Sequence, residues 1–402
     1  MTPVRKTARA NEHTEPEPDL AQVWEGPVTS VIEEFQLEPD CIWVRWTGGA
    51  ESRFHHIWLR DNCPQGLHPV TWERIQDVMD LDPDLCPASV KLTDAGGLTV
   101  SWTDVYTSHY GADWLHRRRY DATARAERRL RPSLWGAAIA DTLPEAQFAE
   151  IATDDAALLA WLRQVRNFGF ALVRQMPDDE RAGEQVAERI SFLRQTNFGT
   201  GFDVISKPNP NNIAYTAIEL KAHTDLPNRE MPPGIQFLHC LDFQATGGDS
   251  LLVDGFHAAE TLRAEDADAF AILASTAIPF RFHDREWDIR WSGPPIELDA
   301  DGHVRGIRYH MALTAPLDVP ADRVVPVYRA LRAFTQILRR PAMELRIRLR
   351  PGDMLAFDNR RSLHGRAAFD PNSGSRRLHG CYVDIDEFMS RIRVLEGENL
   401  LH

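Results

Sequence analysis

The first third of the chain alternates apolar with polar positions. Residues 41–46 (Cys-Ile-Trp-Val-Arg-Trp) are a short aromatic and β-branched run; Thr47, Gly48 and Gly49 read as a turn, and 52–59 return as a hairpin arm. A second hairpin is predicted over 88–102, where Val90 and Leu92 answer Leu98, Val100 and Trp102 across the turn 94–97. The period then changes. Asp154 and Asp155 stand where a helix cap belongs, Leu158, Leu159, Leu162 and Val165 recur at helical spacing, and Gly169 supplies the stop. Asp178 and Asp179 open another helix running towards Arg194. Past residue 200 strands return at 213–216, 235–241 and 250–253, with a hairpin around 299–302. Leu345, Ile347 and Leu349 alternate with arginines as a strand with one wet face, and a helix over 326–340 interrupts the series.

The order implies a mostly β protein with flanking helices. A small β-rich domain is expected over 26–120, holding most of the tryptophans, with a linker over 121–143. A catalytic-sized domain over 144–402 reads as a jelly roll backed by helices. Residues 1–25 have no apolar core and carry Glu12, Glu15 and Glu17, so they read as a disordered tail and not a secretory signal.

Composition narrows the function. The 402 residues hold 45 Lys+Arg against 59 Asp+Glu, a net charge of −14, which argues against a nucleic-acid binder. No run approaches the roughly 18–20 apolar residues of a membrane span. The five cysteines (Cys41, Cys63, Cys86, Cys240 and Cys381) are odd in number and scattered, as in a reduced cytoplasmic protein. Only Lys6, Lys91, Lys207 and Lys221 are lysine, so arginine carries most of the positive charge, a skew that suggests a GC-rich bacterial genome.

The sharpest chemical signal is His223-Thr-Asp225. In an extended backbone positions i and i+2 share a face, so an imidazole and a carboxylate are offered together. Alone, His-x-Asp is common in surface turns. Its C-terminal company changes that: His364 sits in Asn359-Arg-Arg-Ser-Leu-His364-Gly-Arg, and Arg376 follows. Two histidines and one carboxylate make the facial set that leaves iron positions open in non-haem Fe(II) oxygenases. A later arginine suits a bidentate grip on a carboxylate.

With these residues in place, the stretch from Phe198 to Leu395 resembles the gamma-butyrobetaine hydroxylase and trimethyllysine hydroxylase family of Fe(II)/2-oxoglutarate dioxygenases. The matching words include Asn211-Asn-Ile-Ala-Tyr215, Pro232-Pro-Gly-Ile-Gln-Phe-Leu-His239, Thr246-Gly-Gly-Asp-Ser250, Phe357-Asp-Asn359 and Leu363-His-Gly-Arg366. Trp58-Leu-Arg-Asp-Asn-Cys-Pro64 extends the likeness into the first domain. The resemblance implies a double-stranded β-helix catalytic domain in a homodimer, with Fe(II) on His223, Asp225 and His364. It implies 2-oxoglutarate as cosubstrate, held by Arg376 and lined by Leu238, with O2 consumed, succinate and CO2 released, and the substrate hydroxylated. Phe198, Phe202, Tyr215 and Tyr382 match the family's aromatic cage for a trimethylammonium group, which has no N–H and is held by ring faces. Gamma-butyrobetaine is the leading substrate, with trimethyllysine or a trimethylammonio-phosphonate as alternatives. A catalytically silent betaine-binding protein is the alternative from another class.

The chain departs from the family pattern twice. Of the two asparagines that hold the substrate carboxylate, Asn212 is retained but the second falls at His310. That position, or Arg308 two residues earlier, is expected to grip the substrate's anionic end. The family's structural zinc cluster is represented by Cys63, Gln65, His68 and Tyr106, with His109 in reach only by a shifted register. One thiolate and one imidazole do not make a closed zinc site, so zinc is expected to be absent.

Overall fold

The structure is a computed structural model that describes residues 30–205 and 216–397. The chain divides into two compact units, one ending at Leu130 and the other running from Arg131 to Glu398.

The first unit holds two three-stranded antiparallel sheets. One comprises Ile32–Leu37, Cys41–Trp46 and Glu51–His55; the other comprises Pro87–Leu92, Leu98–Trp102 and Thr107–Tyr110. Both expected hairpins are present. The returning arm of the first stops at His55, and His56–Asp61 turn helical so that Leu59 enters the core beside Trp46, Trp102 and Trp114. Two of the family zinc-cluster positions, Cys63 and Gln65, are joined to each other and to His109 by hydrogen bonds. The Cys63 thiol donates to Gln65 Oε1 at 2.9 Å, the same oxygen accepts the His109 backbone N–H at 3.1 Å, and the Gln65 amide returns a bond to the His109 carbonyl. The Arg60 guanidinium lies 3.8 Å over the Tyr106 ring.

Ten strands make the two main sheets of the second unit. They are β1 (Glu145–Gln147), β2 (Phe170–Arg174), β3 (Gly201–Val204), β4 (Leu220–His223), β5 (Ile235–Phe243), β6 (Ser250–Asp254), β7 (Glu344–Ile347), β8 (Met354–Asp358), β9 (Ser362–Arg366) and β10 (Arg376–Val383). They form a six-stranded sheet, β1-β2-β8-β5-β10-β3, and a four-stranded sheet, β4-β9-β6-β7. Between the sheets, Leu238, Leu252, Leu345, Phe357 and Leu378 make a buried apolar cluster. The other face of the large sheet is covered by helices α1 (Asp155–Phe168), α2 (Glu180–Glu188) and α6 (Ile385–Glu396). The other face of the small sheet is covered by α3 (Gly255–Glu265), α4 (Ala267–Ser275) and α5 (Ala321–Leu338). This is the jelly roll backed by helices.

Local signals explain the helix ends. Asp154 caps α1 by accepting the Ala156 N–H, and Gly169 ends it in the left-handed conformation, φ 78°. Helix α2 ends short of Arg194 because that residue is taken by tertiary bonds: its N–H donates to the Tyr382 carbonyl, and its guanidinium pairs with Asp384. Helix α5 begins five residues before Pro326. The buried stripe of Val327, Ala330, Leu331, Phe334, Ile337 and Leu338 outweighs the one backbone bond that proline forgoes. The strand expected at 213–216 lies, up to residue 215, outside the described residues.

One buried ion pair ties the turn between β8 and β9 to the end of β6. Arg361, 1% exposed, reaches both carboxylate oxygens of Asp254 at 3.1 and 2.9 Å and donates to the carbonyls of Asn167 and Ser133. Arg361→Met strands the Asp254 charge and is expected to cost about 3–5 kcal/mol. Denaturant unfolding checks this; a loss below about 1 kcal/mol contradicts the assignment.

Candidate metal centre and its cavity

His223 is the last residue of β4 and lies directly opposite His364 on β9, with ring centroids 4.3 Å apart. Asp225 lies beyond the strand, so strand alternation alone does not aim it. Asn359, at the start of the β8–β9 turn, does so instead. Its Oδ1 accepts the Asp225 N–H at 2.6 Å, and its Nδ2 donates to the carbonyls of Asp225 and Pro233, both at 3.0 Å. Thr224 is tied to Tyr309 by the Thr224 N–H to the Tyr309 carbonyl (2.7 Å) and the Tyr309 N–H to Thr224 Oγ1 (3.0 Å). The bend continues through Leu226 at φ 53°, a sparsely populated conformation for a branched residue.

These restraints bring one ligand atom from each of His223, Asp225 and His364 within 4.8 Å of one another, the one such trio among the described residues. The Nε2 atoms of His223 and His364 lie 3.2 and 3.5 Å from Asp225 Oδ1. His223 Nδ1 bonds the Lys221 carbonyl at 2.8 Å; with the proton there, the Nε2 lone pair faces the centre. Burial, followed by the neighbouring His223, pushes His364 down to about 3, so it is neutral at ordinary pH. Burial opposes ionisation of Asp225, but the two imidazoles and the Tyr382 hydroxyl hold it well below the usual carboxylate range. Two nitrogen donors and one anionic oxygen on one side of a point fit a ferrous ion with positions left for small ligands.

The trio opens on a cavity of about 100 Å³ between the sheets. Leu238, Arg376, Phe198, Phe202 and Tyr382 line it, as the sequence grouped them. Arg376 is buried, donates from Nε to the Gly248 carbonyl, and lies over Phe243; burial lowers it to about 10, still cationic at neutral pH. Arg377 points the other way, to Asp203 and Glu180. Phe202 and Tyr382 pack at a tilt with centroids 5.1 Å apart, and Gly380 makes room for them: a Cβ there would come within 2.8 Å of the Phe202 ring. Phe198 packs edge-on against Phe282. Asn212 and Tyr215 lie outside the described residues.

The two candidates for gripping the substrate anion are placed otherwise. Arg308 is committed to the loop after Asp225, donating to the carbonyls of Pro227, Arg229 and Glu230 and to Glu297. It follows the end of its strand, Val304–Ile307, so the shared strand face with residue 310 does not exist. The His310 ring packs 4.2 Å from His223 and lines a different cavity, about 750 Å³, on the outer side of β4. Burial and the adjacent His223 lower its pKa well below that of ordinary imidazole, so it offers no positive charge. In the structure Arg308 staples a loop, and His310 backs a metal-ligand candidate.

Three roles escaped sequence reasoning. Asn359 stood in a recognised word, and a buried asparagine after a strand end is a backbone-clamp signal. Tyr382 was read only as an aromatic face, yet its hydroxyl donates to Asp225 Oδ2 at 2.6 Å. On the outer face of the large sheet, His379 bridges Asp203 of β3 (3.0 Å) and Glu184 of α2 (3.1 Å), pinning the strand that carries Phe202; no local pattern signals that contact.

Comparison with known proteins agrees with this geometry. Residues 126–382 match the family model "Taurine catabolism dioxygenase TauD, TfdA family", and residues 35–116 match "Gamma-butyrobetaine hydroxylase-like, N-terminal". The chain belongs to this dioxygenase family. Within it, the chain is 45% identical to a gamma-butyrobetaine dioxygenase from Pseudomonas sp. (strain AK-1), covering 88% of this chain and 93% of that one. It is 33% identical to the human gamma-butyrobetaine dioxygenase (88% and 93%) and 31% identical to a trimethyllysine dioxygenase from Meyerozyma guilliermondii (90% and 96%).

Removing the backbone clamp should loosen the metal. Asn359→Ala is expected to weaken Fe(II) binding by about 10–100-fold, read by equilibrium dialysis; unchanged affinity contradicts the clamp. The pH dependence of the outer pin follows from His379. Burial works against its charge, but Asp203 and Glu184 raise its pKa above the ordinary imidazole value. Its stabilisation is therefore full below that ordinary value and lost as pH rises through the raised one. The melting-temperature deficit of His379→Gln should be larger at about pH 5.5 than at about pH 9, and the reverse order contradicts the pin.

Proposed function

We propose that the protein is an Fe(II)/2-oxoglutarate-dependent hydroxylase of a small trimethylammonium substrate, with gamma-butyrobetaine to carnitine as its reaction. The observation that carries this reading is one cavity containing the His223, Asp225 and His364 trio, a buried arginine and three aromatic side chains. Fe(II), 2-oxoglutarate and dioxygen supply the oxidising chemistry when bound. His223, Asp225 and His364 hold the metal. Arg376 pairs with the distal carboxylate of the cosubstrate, its guanidinium aimed by Gly248 and Phe243. Leu238 gives that molecule an apolar wall.

Phe198, Phe202 and Tyr382 present ring faces to the cationic head and exclude water from it; each such contact is worth roughly 0.5–2 kcal/mol. Tyr382 serves two ends at once, because its hydroxyl orients Asp225 while its ring packs on Phe202. That coupling fixes the substrate cage relative to the metal. The named relatives act, by their names, on gamma-butyrobetaine and trimethyllysine, which share the trimethylammonium group. A homodimer belongs to the same reading and rests on the family resemblance.

A substrate panel scored by succinate release tests the proposal. Gamma-butyrobetaine is expected to exceed trimethyllysine, and replacing its trimethylammonium by a neutral tert-butyl group should lower kcat/KM by about 10–100-fold, the worth of the cation contacts. Equal turnover of the neutral isostere contradicts a cation cage; turnover of trimethyllysine alone moves the substrate to that alternative.

A further inference from the structure

Across the floor of the cavity, four neighbouring strands place one residue each in a row. Phe170 faces Phe357, Phe357 faces Gln236, and Gln236 faces Tyr382. Three members are aromatic and one is an amide. Phe357 packs 4.7 Å from the His364 ring, and the Tyr382 hydroxyl bonds Asp225, so Gln236 lies between the supports of two metal-ligand candidates. Its side chain lines the cavity, it is 2% exposed, and its Oε1 has no hydrogen-bond partner.

An amide oxygen buried without a partner costs about 1–3 kcal/mol. Its cross-strand partners Phe357 and Tyr382 would be met more cheaply by leucine, and Leu238, two residues on and facing the same way, shows that the strand accepts it. Oε1 calls for a donor, which a carboxylate cannot be; the N–H2 end of the same amide, on the cavity wall, is the donor that a bound anion can meet. The sheet says which end of which molecule. Gln236 and Leu238 project from β5, and Arg376 from the neighbouring β10, all into the same cavity. A short dicarboxylate lying along this face with one end on Arg376 passes Leu238 and brings its other end to the metal trio, beside Gln236. An amide N–H2 facing a carboxylate makes a charge-assisted bond, stronger than the C–H contacts a trimethylammonium offers a carbonyl.

We propose that Gln236 is a cosubstrate-binding residue whose side-chain amide donates a hydrogen bond to the metal-chelating carboxylate of a bound 2-oxo acid. This rests on the Fe(II)/2-oxoglutarate reading above.

The test is an anaerobic titration of the Fe(II)-loaded full-length protein with 2-oxoglutarate, reading the visible charge-transfer band. Gln236→Leu should take up iron as the wild type does, bind 2-oxoglutarate about tenfold more weakly (about 1.4 kcal/mol) and show a displaced band. Without 2-oxoglutarate its melting temperature should not fall, because the unpartnered amide is gone. Gln236→Glu keeps size and polarity, places like charges together, and should weaken the cosubstrate at least as much; it carries the comparison if the leucine variant does not fold. Wild-type affinity and band position in both variants would overturn the proposal. A loss confined to the KM of the betaine would overturn it too, assigning the amide to the cation. If the wild-type protein gives no band at all, the cosubstrate reading itself fails, an outcome distinct from a wild-type band that the variants leave unchanged.

Discussion

Asp225 stands two residues past the end of its strand's last hydrogen-bonded ladder position, and everything at the centre depends on how that carboxylate is aimed. The sheet fixes His223 and His364 by pairing them across β4 and β9. It does not fix Asp225. The side chain of Asn359 does, by satisfying the N–H and the C=O of residue 225 together, while Tyr382 takes one carboxylate oxygen and leaves the other to the two imidazoles. A buried carboxylate stays ionised only where such donors outweigh desolvation, so the clamp is an electrostatic as well as a geometric requirement.

The architecture supplies that clamp from distant sequence. Asn359 and Arg361 occupy one short turn, and the first holds the segment after β4 while the second holds the end of β6 through Asp254. One connection thus registers the two sheets against each other at the cavity. The rest of the site follows alternation: inward positions of β5 and β10 carry Gln236, Leu238, Arg376 and Tyr382, and outward positions carry Arg377 and His379, which bind the outer face. A single strand therefore both lines the cavity and pins its neighbour.

Much of this was legible before the structure. Periodicity gave both hairpins of the first unit, the capped helix α1 and the long strand β5. Spacing within the C-terminal motif, read with the family words, grouped His223, Asp225, His364, Arg376 and the aromatic residues that line one cavity. What escaped were contacts between segments far apart in sequence. Arg308 reads as a free cation until its guanidinium is seen spent on the carbonyls of Pro227, Arg229 and Glu230. His310 reads as a grip for the substrate's anion; in the structure it packs behind His223. Asn359 and His379 act through partners 134 and 176 residues away, separations at which local pattern carries no information.

The account stands or falls on Asp225 completing a metal site that the two histidines alone do not make. Fe(II) content after anaerobic dialysis, compared between the wild type and Asp225→Ala with folding verified, measures this most directly. About one iron per wild-type chain and near-complete loss in the variant are expected. Equal iron retention in both proteins would contradict this.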